Sequence, residues 1–149
     1  MSRLNEVELA AWQALLHAHA RVTRRLDAEL REEHGIGLGD YDVLVRLART
    51  PDRRLRMTDL AQRVMLAPSS LTRVVDRLVA EGLVARDRSA ADTRVVNASL
   101  TDAGQTRVRA ASRTHLRGIR AHFSGLLTEH QLLDVADALG VVAGPHEPH

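Results

Sequence analysis

Four side chains able to bond a base edge stand within five residues of one another: Ser69, Ser70, Thr72 and Arg73. Their hydroxyls both donate and accept hydrogen bonds. A guanidinium presents a planar fork that matches O6 and N7 of guanine, or two oxygens of a phosphate. Arg73 suits either contact, and the sequence does not choose between them. Arg77, one helical turn further on, suits a phosphate or a partner within the fold. On a wheel of 100° per residue centred on Leu71, the residues Val74, Val75, Leu78 and Val79 fall within about 80°. Ser69, Ser70, Thr72, Arg73, Asp76, Arg77 and Ala80 take the other side. One face must pack, and the other is offered to something outside. A helix built this way, set by a short turn on a preceding helix, is the part of a helix-turn-helix that enters a DNA major groove.

Several elements must hold that helix in place. Asn5 to about Glu33 reads as a long first helix, with Asn5 as cap and Glu8 as its capping-box acid. Its stripe includes Val7, Trp12, Leu15, Leu16, His19, Val22, Leu26 and Leu30, more apolar surface than a small lobe needs. Gly35 to Gly39 is expected to be a plain connector. It lacks the spacing and the preceding strand of a nucleotide-binding glycine loop. Asp40 is expected to cap a second helix from Tyr41 to about Arg49, ended by Thr50-Pro51. Arg54 to Arg56 reads as a very short strand, and Thr58 as the cap of a third helix. Pro68 opens the fourth helix and Gly82 closes it. Residues 83–86 and 95–100 read as a hairpin with a polar tip from Asp87 to Arg94. Thr101 caps a fifth helix to about Phe123. Thr128 and Gln131 form a capping box for a last one, expected to end at Gly140.

Composition narrows the classes. The chain has 149 residues, an apolar share of 44% and no cysteine, which excludes disulfides, thiolate metal sites and cysteine redox switching. No apolar run reaches the roughly 18 residues of a membrane span and no signal-peptide core opens the chain, so the cytoplasm is the expected compartment. Net charge is only +2, but residues 53–94 hold nine Arg against five acids, a local +4. All 21 residues of the Lys and Arg class are Arg, which fits genomic composition bias as well as phosphate binding.

These residues resemble the MarR (multiple-antibiotic-resistance regulator) family of winged-helix transcription factors. The likeness runs in order through Leu60-Ala61, the segments Pro68 to Arg73 and Val75 to Leu78, and the segment Glu81 to Arg86. It continues through Asp92-Thr93-Arg94 and Leu100 to Gly104. The resemblance implies a mainly α fold with a small β-hairpin wing (α+β), a winged helix-turn-helix core and terminal helices that form a dimerisation module. Residues 5–34 and 102–143 would be the dimerisation helices, 40–101 the DNA-binding lobe and 144–149 a flexible tail. Val7, Leu9, Leu116, Ile119, Phe123, Leu126, Leu132, Val135 and Leu139 would line the dimer interface. The implied partners are a second copy and double-stranded DNA carrying a pseudo-palindromic operator, with release by a small aromatic, anionic effector. The family's effector pocket maps onto Trp12, Leu16, His19, Tyr41 and His115, each of which also suits plain packing. Arg94 matches the family's minor-groove arginine, oriented by Asp92, although the two could simply close the hairpin as an ion pair. Arg56, Thr58, Arg86 and Arg88 are backbone-contact candidates, although Arg86 could instead reach the dimer side of the lobe. Two departures stand in the turn before the fourth helix, Met65 for the usual Gly and Ala67 for the usual Ser, which cannot cap.

Other chemistries find less support. His17 and His19 lie about 200° apart on their helix, and His115 and His122 about 10 Å apart along theirs, so neither pair would share a metal. His146 and His149 sit in the expected tail. No G-x-S-x-G, H-E-x-x-H or phosphate-binding loop is present and there is no lysine, so neither an enzyme nor a bound cofactor is expected. The remaining alternative is a winged helix used only for protein interaction or dimerisation, without DNA.

Overall fold

A computed structural model describes residues 3–64 and 66–145; the substitution at Met65 and the tail histidines His146 and His149 lie outside them. The fold is mainly helical with one small antiparallel sheet, as the sequence implies. In chain order it comprises α1 (Glu6–His34), α2 (Leu38–Ala48), β1 (Arg54–Arg56), α3 (Met57–Val64), α4 (Pro68–Ala80), β2 (Val84–Arg88), β3 (Val96–Leu100), α5 (Asp102–His122) and α6 (Glu129–Ala143). Single 3-10 turns at Pro51–Arg53 and Ser124–Leu126 join neighbouring elements. The chain forms two compact units whose boundary falls inside α1 and α5. One runs from Leu26 to His115, and the other joins the residues up to Arg25 with those from Leu116.

Helix termini follow local chemistry. Asn5 Oδ1 accepts from Glu8 N at 2.9 Å while Glu8 Oε2 accepts from Asn5 N at 2.7 Å, a complete capping box for α1. Thr128 and Gln131 do the same for α6. Thr101 Oγ1 accepts from Gly104 N at 3.0 Å and starts α5. Two expected caps are corrected. Asp40 lies in the first turn of α2, not before it: the helix starts at Leu38 and Asp40 reaches back to accept from Gly37 N at 2.8 Å. Thr58 lies inside the first turn of α3, because the strand Arg54–Arg56 leads straight into Met57. The stretch after Gly35 is more than a connector, since Ile36 is fully buried and Leu38 and Gly39 are helical. Asp87 and Arg88 belong to β2, leaving a shorter wing tip. α6 continues through Gly140 to Ala143, a lone exposed glycine being tolerable in a helix interior.

In the central unit, Leu30, Ile36, Val43, Leu44, Leu47, Leu60, Leu71, Val75 and Leu78 are the largest fully buried side chains. They join α1, α2, α3 and α4 into one core that β2, β3 and α5 complete through Leu83, Val84, Ala98, Leu100 and Val108. The sheet order is β1-β3-β2, with Arg54 opposite Ser99 and Val84 opposite Leu100. α4 is stopped by a left-handed Gly82 (φ +74°). Leu83 N then bonds Leu78 O at 2.9 Å and Gly82 N bonds Val79 O at 3.0 Å. These two bonds make a Schellman end that turns the chain sharply into the wing.

The terminal unit is built differently. All the core side chains lie between Leu26 and Ala111, whereas every large exposed hydrophobic of the described chain lies at or before Leu16 or at or after Leu116. Val7 is 78% exposed, Leu126 72% and Leu116 64%. Within this unit α1, the end of α5 and α6 leave an apolar groove of about 730 Å³, lined in part by Leu15, Val22, Phe123, Leu126, Val135 and Leu139.

Candidate nucleic-acid interface

α4 shows the two-faced character its sequence predicts. Leu71, Val75 and Leu78 are buried and Val74 and Val79 half-buried, while Ser69, Thr72, Arg73, Asp76 and Arg77 are exposed and Ser70 is half-buried. Ala67 precedes the helix with no side-chain cap, and Pro68 occupies the first helical position, where its missing N–H costs nothing. Thr72 Oγ1 donates to Pro68 O at 2.9 Å, which spends its proton within the helix and leaves its lone pairs outward. Arg73 makes no hydrogen bond or ion pair among the described residues, so its guanidinium is free.

Several other basic residues of this region are less free, although Arg56, like Arg73, makes no hydrogen bond or ion pair among the described residues. Arg77 is paired with Asp40, Arg86 with Asp76 and Arg54 with Asp87. Arg53 bonds Asp102 at 3.0 Å. In the wing, Arg94 sets Nε against Asp92 Oδ1 at 3.1 Å and Nη2 against Oδ2 at 3.2 Å, while its own N–H bonds Oδ1 at 3.0 Å. These bonds, and the nearby charge of Arg56, hold the Asp92 carboxyl below its usual range. Arg94 itself remains 89% exposed, displayed at the wing rather than folded away. Arg88 donates to Thr93 O at 2.8 Å and stiffens the same tip. Arg56 and Thr58 are exposed at the β1–α3 junction. The carboxylate partners Asp40, Asp76 and Asp87 were not singled out for these roles by the sequence. Asp40 and Arg77 are 37 residues apart, with no local signal joining them.

The candidate pocket residues divide between the units. Trp12, Leu16 and His19 are exposed on α1 in the terminal unit. Tyr41 and His115 lie in the central unit with ring centroids 4.6 Å apart, and the Tyr41 hydroxyl lies 3.1 Å from Ser112 Oγ. His115 Nδ1 is buried without a partner, and burial lowers the imidazole's tendency to take a proton. Of the expected interface residues, Val7, Leu9, Leu116, Leu126 and Leu139 are exposed, and Ile119, Phe123, Leu132 and Val135 half-buried. Among the described residues no cluster of three or more His, Asp or Glu side chains could hold a metal, and no helix is long and apolar enough to cross a membrane.

Comparison with known proteins places the fold in a family. The profile of the MarR family matches residues 37–96, which span α2 to the start of β3. The HTH-type transcriptional repressor MdtR of Bacillus subtilis is 31% identical over 108 residues, covering 72% of this chain and 68% of that protein. The chain belongs to the MarR family. Among solved MarR structures, AbsC of Streptomyces coelicolor superposes with a TM-score of 0.89 at 31% identity, covering 96% of each chain. Sco3205 of the same organism, a MarR regulator crystallised in complex with DNA, superposes at 0.91 with 31% identity over 99% of this chain and 95% of that one. MarR proteins are transcriptional regulators, and the winged helix-turn-helix described above is their DNA-binding fold.

Proposed function

We propose that this MarR protein is a homodimeric, sequence-specific repressor that binds a pseudo-palindromic operator in double-stranded DNA in the cytoplasm, and that it is a binding protein rather than an enzyme. The observation that carries this reading is the free Arg73 on the exposed face of α4, beside Ser69, Ser70 and Thr72, on a helix whose other face packs on the core through Leu71, Val75 and Leu78. The DNA complex of Sco3205 supports the same use of the fold, and the repressor names of MdtR and YetL of Bacillus subtilis favour repression.

In this reading Ser69, Ser70, Thr72 and Arg73 face base edges in the major groove. Arg56, Thr58 and Arg88 hold phosphates, and Arg94, oriented by Asp92, enters an A·T-rich minor groove. Arg86, held by Asp76, steadies the base of the wing against α4. Residues 40–101 act as the DNA-binding lobe, and the terminal helices supply the dimer. The confinement of the large exposed hydrophobics to the terminal unit supports a second copy as their cover, because a monomer rarely leaves that much apolar surface in water. A small aromatic, anionic effector would release the DNA, with Tyr41 and His115 as candidate polar contacts in the central unit.

A gel-shift titration against salt tests the core of this proposal. Phosphate contacts release counterions, so log K falls with log salt at roughly 0.9 per contact. A steep negative slope from a species sedimenting as a dimer is expected. Binding indifferent to salt, or a monomer at micromolar concentration, contradicts it.

A further inference from the structure

Arg73 and Arg77 occupy successive turns of α4, yet only Arg73 is free. Arg77 is drawn to Asp40, a carboxylate from the first turn of α2 whose side chain is only 6% exposed. Both oxygens of Asp40 are engaged, Oδ1 by Arg77 and Oδ2 by Gly37 N at 2.8 Å. The carboxylates that hold Arg86, Arg54 and Arg94 are more exposed: Asp76 is 52% exposed, Asp87 46% and Asp92 40%. Those three can release their arginines to a phosphate at little cost, because water solvates the carboxylate left behind. Asp40 cannot, because its burial and its bond to the start of α2 fix it in place. Withdrawing Arg77 would strip a buried carboxylate of its direct ion-pair partner and leave it the Gly37 N–H and the weaker charge of Arg31, which is unfavourable.

We propose that Asp40 is a positioning residue that determines specificity by withholding Arg77 from the DNA backbone. It rests on the DNA-binding reading above. A guanidinium one turn from Arg73, if free, would add a phosphate contact that carries no sequence information. Every such contact strengthens cognate and random DNA alike. Pinning Arg77 leaves Arg73 as the unpaired guanidinium of this helix, so a larger share of the affinity depends on base edges. The pair also ties α2 to α4 and keeps Arg73 at a constant angle to the lobe.

The test uses the full-length protein and a labelled mixed-sequence duplex of about three helical turns, roughly 30 bp, titrated with salt by fluorescence anisotropy. Asp40→Asn removes the charge and leaves one carbonyl oxygen for two donors. In that variant the slope of log K against log salt should steepen by about 0.9 per lobe, about 1.8 for two. Over a fourfold rise in salt this is about a twelvefold larger loss of affinity. Arg77→Ala in the otherwise unmodified protein should leave the slope unchanged, and adding it to Asp40→Asn should return the slope to its original value. A purely structural pair would lower the unfolding midpoint without this reversible change in slope. An unchanged slope in a folded Asp40→Asn protein overturns the inference, as does a slope reduced by about 0.9 per lobe in Arg77→Ala, which reads out even where Asp40→Asn does not fold. An unmodified protein that binds no duplex ends the DNA-binding reading itself, and the inference with it.

Discussion

Gly104 in the first turns of α5 gives the sharpest single-residue test of how the wing is attached. Replacing a helical glycine by alanine ordinarily stabilises by about 1 kcal/mol. Here the sign should reverse. A Cβ at Gly104 would stand 2.2 Å from Leu83 O and 2.5 Å from Leu100 Cδ1. Leu83 O is already fixed, accepting from Thr101 N at 3.1 Å, while Thr101 Oγ1 donates to Gly82 O at 2.7 Å. Leu100 is 5% exposed and part of the core, so neither neighbour can move aside cheaply. Overpacking costs about 1–3 kcal/mol, and a clash with a fixed backbone oxygen belongs at the upper end of that range. Offset by the helical gain, Gly104→Ala should destabilise by about 2 kcal/mol, or about 5 °C in unfolding midpoint for a chain of this length. Thermal unfolding followed by circular dichroism, at one protein concentration for all variants, measures it. Gly39→Ala is the control: nothing lies within 4 Å of a Cβ there, and a gain of about 0.4–1 kcal/mol is expected. A Gly104→Ala protein as stable as the unmodified one would refute the close packing of α5 on the α4–β2 junction.

Other perturbations address the site. Arg73→Ala should cost about 1–3 kcal/mol on the cognate operator and relax discrimination at one base position, read by titrating the variant across operator mutants; uniform loss on all sequences would make it a phosphate contact instead. Arg94→Ala should lose more affinity on operators with A·T-rich flanks than on G·C-rich ones, and equal losses would remove Arg94 from the minor groove. His115 should impose a pH dependence on stability. Burial lowers its folded pKa below the unfolded value of 6.5, so below about that pH the unfolded chain binds more protons and stability falls as pH drops toward the folded value. Unfolding midpoints measured across this window should be flatter for His115→Asn, and an identical profile would place the titration elsewhere.

Much of the fold was legible because its signals are local. The reciprocal bonds of Asn5 with Glu8 and of Thr128 with Gln131 follow from residue type at a spacing of three, and the buried face of α4 follows from helical period alone. Asp40 marks where such reading stops. An acid before an apolar run looks the same as an N-cap or as a residue inside the first turn, and here the cap position is a glycine that bonds only through its backbone. Gly140 misled for a related reason: an exposed glycine near a chain end resembles a stop, yet the helix runs on to Ala143. The arginine count was visible in the sequence, but not which charges remain free. That depends on carboxylates brought from α2, α4 and β2 by packing, and on Asp102 at the start of α5, none of which a local pattern announces.

The central claim is that two copies of this lobe, joined through their terminal helices, read one face of a duplex. Hydroxyl-radical footprinting on a fragment selected from genomic DNA tests it most directly. Two protected patches related by two-fold symmetry, with centres about one turn or roughly 10 bp apart, are the expected result. A single patch, or protection no different from that on mixed-sequence DNA, would contradict it.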